Sequence, residues 1–313
     1  MDEFRPEMNV FHQERHPDPG VRFEKDSGVV IDLDPTFPKS RILCPRAFEL
    51  DDGTYKLLFM EYGRFCPTGV NGVIVSASSQ DGVTWERDGK ICVGPNPPFA
   101  THRSLAPDVV RLPDGGFRMY FEGRSGNHSH VILSALSENG QSWTVEEGVR
   151  VHDDENKIDF GTPACVRLPD RGGWRLYFHA RDTQRCEIWS ASSEDGLEWE
   201  REPDVRISQT RPEEVHGAYS PHVIQTSRGF WRMVYSGWSR NPEMRGRILA
   251  ARSDDGLFWE KEAGVVLEPG FELDAVHCSE PCLLRLPNGR WRLLYEASDK
   301  KGRWRILGAS NRM

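Results

Sequence analysis

Two sequence motifs recur at matched intervals along nearly the whole chain, and they constrain the fold more than any other feature. The first is a turn of the form S-x-D/N-G followed by a tryptophan, and it occurs at Trp85, Trp143, Trp199 and Trp259. The second surrounds a proline and occurs at Pro45, Pro107, Pro163, Pro221 and Pro281. Successive copies of either motif are 56 to 62 residues apart. The matched spacing of two independent motifs predicts a protein built from repeated structural units.

Each repeat has the pattern of four short antiparallel strands. In the second repeat, residues 106–111 precede an L-P-D-G-G sequence, whose Pro, Asp and Gly favour a tight reversal of the chain. The aromatic-rich segment 117–123 is followed by the apolar segment 131–137, a second tight turn and a strand opened by Trp143. Four antiparallel strands with a fixed aromatic residue are typical of a β-propeller blade.

The last repeat lacks its fourth strand, and the start of the chain carries a sequence that replaces it. Residues 20–31 align without gaps with residues 256–267, and Phe23 then takes the position of Trp259. A strand supplied from the other end of the chain leaves no open sheet edge. The sequence therefore predicts an all-β fold, a five-bladed β-propeller whose last blade is closed by the N-terminal strand. We expect residues 1–19 to be an N-terminal extension and residues 20–313 a single domain.

Composition excludes several functional classes. The chain has 48 acidic and 40 basic residues, and a net charge of −8 argues against nucleic acids and anionic membranes as partners. No apolar run approaches the roughly 18 residues of a spanning helix, and the N-terminus has acids where a signal peptide has bases. Seven cysteines without a C-x-x-C pair indicate neither a disulfide framework nor a zinc site. We expect a cytoplasmic protein that binds a small molecule, with its oligomeric state left open.

The two faces of such a propeller differ in their capacity for function. The tight turns share one face, and their Asp81, Asp195 and Asp255 are predicted to hydrogen-bond to their own backbone. The longer loops share the opposite face and vary in sequence while the scaffold repeats, which is typical of binding surfaces. We therefore look for a site where the repeats converge on that second face.

Unlike polar residues occupy equivalent positions of the repeats near that face. The positions after the prolines include Arg46, Asp108 and His222, and Glu280 precedes the last proline. Near the end of the second strand of each repeat stand Glu61, Glu122, His179, Ser236 and Glu296. Convergence of the repeats predicts that these residues gather in one central funnel, where several carboxylates must repel one another or share protons.

The loops and strand ends add further candidates. Arg124 follows Glu122, while Asp159 and Glu214 lie in long loops near the same rim. Trp238 follows a second strand and is placed either to stack on a sugar ring or to pack a loop. His12, His16, His128 and His130 are interpreted as surface residues. The spacing of His179 and His222 does not indicate a metal site.

The five repeats, the A-P-D-V sequence at 106–109 and the S-x-D-G-x-x-W turns resemble the five-bladed propeller glycosidases, which include glycoside hydrolase families 43, 32, 68 and 130. The resemblance covers residues 20–313. It implies carboxylate acid–base chemistry through an oxocarbenium-like transition state. For family 43 it also implies acids at the inner strands of blades one and three and a Glu in blade four. Here Cys44 and Thr162 precede the first and third prolines, whereas Glu213 and Glu214 lie in the fourth repeat.

These observations predict a carbohydrate-active enzyme, hydrolase or phosphorylase-like, that acts on a small glycoside without a cofactor or metal. The expected catalytic residues are Asp108, Glu122, Glu61 and Glu280. The expected substrate-binding residues are Arg46, Arg124, His179, His222, Trp238, Glu296, Asp159 and Glu214. Two alternatives stay open at this point: a non-glycosidase enzyme such as a cyclase, isomerase or lyase of specialised metabolism, and a ligand-binding propeller without catalysis.

Overall fold

The protein consists almost entirely of antiparallel β-strands, which confirms the predicted all-β class. The computed structural model describes residues 16–37, 39–126, 128–168, 172–239 and 245–311. Its regular structure comprises twenty strands and two 3₁₀ helices, Pro212–Glu214 and Glu272–Asp274. Neither of these helices, and no other helix among the residues described, has the length and apolar character needed to traverse a bilayer.

Three sheets contain four consecutive strands each. The first set is β2 (Arg41–Glu49), β3 (Tyr55–Tyr62), β4 (Val73–Ser79) and β5 (Glu86–Val93). The second set is β6 (Arg103–Arg111), β7 (Phe117–Arg124), β8 (Val131–Ser137) and β9 (Thr144–Val145). The third set is β10 (Asp159–Arg167), β11 (Trp174–Arg181), β12 (Cys186–Ser193) and β13 (Glu200–Arg201).

The remaining strands form one eight-stranded sheet, in which a single bridge between Gly246 and His277 joins two sets of four. The fourth set is β14 (Gly217–Gln225), β15 (Trp231–Ser239), β16 (Arg245–Ser253) and β17 (Glu260–Lys261). The fifth set is β18 (His277–Arg285), β19 (Trp291–Ser298), β20 (Trp304–Asn311) and, from the other end of the chain, β1 (Phe23–Ile31).

The strand β1 occupies the place that β17 has in the preceding set. It pairs antiparallel with β20, from Phe23 opposite Asn311 to Ile31 opposite Ile306. The sequence alignment makes Lys25 equivalent to Lys261, and in the structure each of these lysines pairs with a carboxylate. Lys25 Nζ lies 2.6 Å from Asp274 Oδ2, and Lys261 Nζ lies 2.5 Å from Glu214 Oε2. Each lysine therefore joins a fourth strand to a buried acid in a 3₁₀ helix.

The first strand of every set is interrupted by a bulge at the repeated proline. The residues before these prolines are not glycines, yet all five have a positive φ between 46° and 57°: Cys44, Ala106, Thr162, Ser220 and Glu280. The pairing with the second strand shifts register at the same point in every set. Left-handed backbone is unfavourable for such residues, so a repeated occurrence requires compensating contacts.

Neighbouring sets are joined through the tight turns. Arg118 in β7 donates to the Asp195 carbonyl at 2.9 Å, and Arg175 in β11 donates to the Asp255 carbonyl at 3.1 Å. The carboxylates of Asp195 and Asp255 accept backbone N–H groups within their own turns, as does that of Asp81. The predicted turn-forming role of these aspartates is therefore confirmed, and the turn carbonyls serve as docking points for the preceding set.

The buried pair between Lys25 and Asp274 provides a test of how β1 is held. Removing one partner of a buried ion pair costs roughly 3–5 kcal/mol because the other charge stays buried without compensation. We expect Lys25→Ala to lower the free energy of unfolding by about 3 kcal/mol in urea denaturation. The control is Lys157→Ala, whose lysine is 73% exposed beside an exposed Glu155 and whose loss leaves stability unchanged. Equal effects of the two variants would contradict the proposed anchoring of β1.

Candidate functional site

The five repeated prolines meet where the first strands of the sets converge. A cavity of only about 10 Å³ lies there, and its lining comprises four of the prolines (Pro45, Pro107, Pro163 and Pro281), Arg46 and the residue that precedes each of the five prolines. We call the side of this cavity that holds Cys44, Thr162 and Glu280 the mouth. The candidate site lies at the mouth, because the second strands bring their polar ends to the same side.

At four of the five bulges, the backbone N–H group of the residue before the proline donates to a side chain of a neighbouring set. Three equivalent hydrogen bonds run from Thr162 N to Glu122 Oε2 (3.3 Å), from Glu280 N to Ser236 Oγ (2.7 Å) and from Cys44 N to Glu296 Oε2 (3.2 Å). In the fourth set, Ser220 N donates instead to Thr162 Oγ1 at 3.0 Å. The polar ends of the second strands therefore compensate for the left-handed residues as well as forming the mouth.

Glu61 does not belong to this ring, so the predicted equivalence of Glu61 with Glu122 is wrong. Glu122 lies opposite Leu105, whereas the residue opposite the matching Leu43 is Met60. Successive side chains of a strand point to opposite faces, so a one-residue difference in register turns Glu61 away from the mouth. Its Oε2 instead accepts from Arg87 Nη1 at 2.6 Å. The extra residue in M-E-Y-G-R, compared with F-E-G-R, was the sequence signal of this shift.

The carboxyl groups of Glu280 and Glu296 lie together beside the Cys44 thiol. One oxygen of each glutamate and the Cys44 sulfur all lie within 4.8 Å of one another. Ser279 Oγ donates to Glu296 Oε1 at 2.7 Å. Burial raises the pKa of Glu296 to about 7, and burial with the charge of Glu296 raises that of Glu280 well above its usual range. The pair therefore holds at least one proton at neutral pH.

Within the described residues this is the one group of three potential ligands close enough to share a metal ion. Burial also raises the pKa of the Cys44 thiol well above its usual range. Protonated carboxyl and thiol groups attract cations weakly, and the positive charge of Arg46 acts on Glu280 from below. The arrangement of these three groups therefore favours the binding and release of protons over the binding of a metal ion.

Glu122 has the opposite electrostatic environment. Burial alone raises its pKa, but the charge and hydrogen bond of His130 overcome that effect and lower it to about 2. His130 Nδ1 lies 2.5 Å from Glu122 Oε1, and the pKa of His130 is raised in return although burial opposes it. Glu122 is thus ionised throughout the physiological range. The side chain of His130 is only 16% exposed, so its prediction as a surface residue is wrong.

His179 and Asp159 surround this ion pair. His179 Nδ1 lies 2.8 Å from Thr162 Oγ1, and burial lowers the pKa of His179 to about 4, so it is neutral. Asp159 Oδ1 accepts from His130 N at 2.8 Å. Both predicted residues therefore lie beside Glu122 and orient its partners. Arg124 is exposed at the end of β7, close enough to His130 for its charge to act on it.

An aromatic group borders the Glu280 and Glu296 pair. Trp238 is partly exposed, and its ring centre lies 4.5 Å from that of His216 and 6.4 Å from that of Tyr219. Burial and the charges of Glu296 and Glu280 raise the pKa of Tyr219 well above its usual range. Tyr219 thereby connects Trp238 with the protonated pair. The sequence pattern predicts Trp238 but not Tyr219, although the position of Tyr219 one residue before Ser220 is a signal for it.

Arg46, Asp108 and His222 lie below the prolines rather than at this mouth, which corrects the expectation of one common funnel. Arg46 Nε lies 3.0 Å from Asp108 Oδ1, and both side chains are buried. Asp108 accepts the N–H of Cys165, and His222 Nδ1 accepts that of Leu283 at 2.8 Å. Residues before and after each proline project to different levels of the axis, so these three residues connect sets of strands below the site.

Glu214 lies outside the mouth and has a structural environment. Its carboxylate is fully buried and accepts from Tyr235 Oη and from the backbone of Thr210 and Arg211, in addition to its pair with Lys261. Both oxygens are thus used by its own loop and by the strands β15 and β17 of the same set. Of the predicted residues, the mouth brings together Glu122, Glu280, Glu296, His179, Asp159 and Trp238.

Comparison with known sequences finds relatives of part of the chain. No protein-family model matches the sequence. The chain is 31% identical over 137 residues to an uncharacterized protein of Mycobacterium tuberculosis strain CDC 1551, and 30% identical over 136 residues to one of strain H37Rv. Each match covers 41% of this chain and 43% of the relative, so it spans less than half the length of the curated relatives.

Solved structures resemble nearly the whole chain. An endo-arabinase from Bacteroides thetaiotaomicron has a TM-score of 0.69 at 16% identity, covering 92% of this chain and 98% of that one. A thermostable family-43 glycoside hydrolase has a TM-score of 0.68 at 16% identity, covering 88% and 90%. A GH130 glycoside hydrolase that targets β-1,2 mannosidic linkages in Candida mannan has a TM-score of 0.71 at 14% identity, covering 91% and 93%. The chain therefore has the fold of the propeller glycoside hydrolases.

Gly161 tests the close packing around Glu122. A Cβ at this position would collide with Glu122 Oε2 and lie 2.7 Å from His179 Cε1. Because Glu122 is held by His130 and Thr162, Gly161→Ala should break these bonds and lower the free energy of unfolding by about 2–3 kcal/mol. In the control, Gly94→Ala, the new Cβ meets nothing closer than 3.5 Å. Similar urea midpoints for both variants would contradict this packing.

The raised pKa of Glu296 predicts a dependence of stability on pH. The folded protein keeps this proton up to about pH 7, whereas a glutamate in the unfolded chain loses it near pH 4.5. The associated stability is therefore complete below pH 4.5 and is lost as the pH rises towards 7. Relative to Glu296→Gln, the wild-type free energy of unfolding should fall by about 1–3 kcal/mol over this range. Parallel pH profiles in urea denaturation would contradict a raised pKa.

Proposed function

We propose that this protein is a carbohydrate-active enzyme of the glycoside hydrolase or phosphorylase type, with its active site at the mouth formed by Glu122, Glu280 and Glu296. One observation carries the proposal: carboxyl groups on equivalent strands have pKa values of about 2 and about 7. Two carboxyl groups with separated pKa values are the arrangement that acid–base catalysis requires. The fold shared with propeller glycoside hydrolases supports a sugar-like substrate.

We also propose that the five sets of strands form the five blades of a closed ring. The first strand of each set packs against that of the next, and β18 packs against β2. Arg292 in the fifth set donates to the Gly82 carbonyl in the first at 2.9 Å, as Arg118 and Arg175 do between other neighbours. The bond from Cys44 N to Glu296 also joins the last set to the first. A closed ring explains why unlike acids from distant parts of the sequence meet.

In this proposal the protonated pair of Glu280 and Glu296 is the general acid. It donates a proton to the leaving oxygen as the glycosidic bond breaks, and the sugar acquires oxocarbenium character. The ionised Glu122 stabilises that positive charge or accepts the proton of the attacking water. The partly exposed ring of Trp238 offers a flat surface for the apolar face of a sugar, and Arg181 places a positive charge near Glu122.

Ligand binding without catalysis is the second candidate. It is favoured by the hydrogen bonds that Glu122 and Glu296 accept from Thr162 N and Cys44 N, which give both carboxylates a structural task. If Glu122 and Glu296 served only to accept these hydrogen bonds, any other hydrogen-bond acceptor could replace them. The two candidates therefore differ in whether the carboxyl protons, rather than the oxygens, are needed.

A panel of aryl arabinosides, xylosides, fructosides and mannosides, with and without phosphate, tests the proposal. We expect turnover of at least one class, and Glu296→Gln should reduce kcat by about 10²–10⁴-fold while substrate binding persists. Activity should decline above about pH 7, because the acid loses its proton there. The matched control is Glu61→Gln, a buried strand-end acid that faces Arg87 rather than the mouth, with folding verified by its melting temperature.

Two outcomes contradict the enzymatic proposal. One is binding of a glycoside that no condition turns over, with equal affinity in the wild type and in Glu296→Gln, which supports the ligand-binding candidate. The other is turnover that Glu296→Gln and Glu61→Gln reduce equally, which places the acid elsewhere.

A further inference from the structure

A cavity of about 470 Å³ lies beside the start of β2 and the end of β3, and the active site proposed above does not include its residues. Its lining comes from two segments, residues 36–40 and residues 62–71. Arg64 Nη1 donates to Asp34 Oδ2 at 2.9 Å and thereby links the loops that carry these segments. The volume of the cavity is within the range of sites for small molecules.

The lining of this cavity combines accessible aromatic rings with neutral polar groups. Phe37 is 41% exposed and Tyr62 is 36% exposed, so a ligand can contact the surface of both rings. Thr68 and Asn71 are exposed beside them and offer a hydroxyl and an amide group. Among the described residues of the lining, Lys39 is the only charged one. This combination favours a sugar, which has an apolar C–H face and a hydroxylated edge.

Tyr62 occupies the position in the first set that Trp238 occupies in the fourth. Tyr62 lies opposite Arg41 at one end of the pairing of β2 with β3, and Trp238 lies opposite Gly217 at the same end of the pairing of β14 with β15. The equivalent residues of the other three sets are Arg124, Arg181 and Ser298. Two sets therefore present a partly exposed aromatic ring at this position of the repeat.

The fifth set lies between the first and the fourth, because β18 packs against both β2 and β14. The proposed acid pair of Glu280 and Glu296 belongs to this fifth set. Towards the fourth set, Glu280 N donates to Ser236 Oγ, two residues before Trp238 in the same strand. Towards the first set, Glu296 Oε2 accepts the N–H of Cys44. The acid pair therefore lies between the two sets that carry the aromatic rings.

The distance between the acid pair and the cavity exceeds the reach of a small leaving group. Cys44, which contacts Glu296, follows Arg41 by three residues in β2, and Arg41 lies opposite Tyr62. At the usual rise of a β-strand, three residues correspond to roughly 10 Å. A methyl glycoside bound at the acid pair is too short to contact Tyr62, whereas a glycoside with a second sugar ring extends towards the cavity.

We propose that this cavity binds the sugar unit that leaves when the glycosidic bond is cleaved, so that the substrate is an oligosaccharide of at least two units. The inference rests on the proposed function, in which the pair of Glu280 and Glu296 protonates the leaving oxygen. The sugar unit that is transferred lies between this pair and Glu122. The leaving unit lies on the side of the first set, with its apolar face on the rings of Tyr62 and Phe37.

The test measures binding separately from turnover, on the full chain. The probes are arabinobiose, xylobiose, inulobiose and mannobiose, together with the methyl glycosides of the same four sugars. Isothermal titration calorimetry with the Glu296→Gln variant gives the affinities without cleavage. We expect one disaccharide to bind more tightly than its methyl glycoside.

Variants of Tyr62 show whether this preference arises in the cavity. Tyr62→Ala in the same background should lower the preference for the disaccharide by about tenfold, because the leaving sugar loses a stacked ring. Tyr62→Trp keeps a flat ring and should restore the preference. The matched control is Phe258→Ala, which removes a 75% exposed aromatic ring from the tight turn after Asp255 and should keep the preference. Melting temperatures verify the folding of each variant.

The outcomes distinguish this proposal from the proposed function. An equal preference before and after Tyr62→Ala, or an equal loss in Phe258→Ala, would overturn the cavity as a sugar site. Turnover of an aryl glycoside without binding of any disaccharide would overturn it too, and would leave the enzymatic function standing. Binding of a disaccharide that depends on Tyr62, without turnover of any glycoside by the wild type, would support the sugar site and contradict the enzymatic function. An aryl glycoside that binds more tightly than every disaccharide and needs Tyr62 would overturn the sugar as the occupant.

Discussion

The structure depends on compensation for five strained backbone positions around one axis. Every first strand has a left-handed residue before its proline, and the bulge there exposes an N–H group that the strand ladder does not use. In four sets, a glutamate, serine or threonine side chain of the neighbouring set accepts that hydrogen bond. Below the prolines a second level repeats the principle, since Asp108, His222 and Cys282 accept N–H groups of the next first strand. The sets are therefore joined by side chains that end at the axis.

This constraint explains why polar residues line the mouth, but it does not explain their identity. A hydroxyl is sufficient, because Ser236 accepts the N–H of Glu280 at 2.7 Å. Carboxyl groups at the equivalent positions of Glu122 and Glu296 add a charge or a proton that the fold does not need, at a cost in desolvation. In the first set the position is held by Met60, which packs with Cys44 and Ala106. The backbone geometry is thus the same in every set, while the residue at this position differs from set to set.

Glu122 and Glu296 occupy equivalent positions of the repeat, and their pKa values differ because their surroundings differ. Both are buried and both accept a bulge N–H group, yet His130, whose pKa is raised by Glu122, stands beside Glu122, and a second carboxyl group stands beside Glu296. An opposite charge stabilises an ionised carboxylate, and a like charge favours the protonated form. The pKa values consequently move in opposite directions from one common value. This difference gives the mouth its chemical asymmetry.

The amino-acid pattern was sufficient to predict the all-β repeat, the turn-forming role of Asp81, Asp195 and Asp255, and the pairing of the N-terminal strand, because these follow from local turn chemistry and spacing. It also identified Glu122, Glu280, Glu296, His179 and Trp238. Only the folded chain shows that Glu61 faces Arg87, that Asp108 and His222 lie below the prolines, and that His130 pairs with Glu122. Because side chains alternate along a strand, a shift of one residue in register moves a side chain to the opposite face, and the charges that set a pKa come from strands distant in sequence.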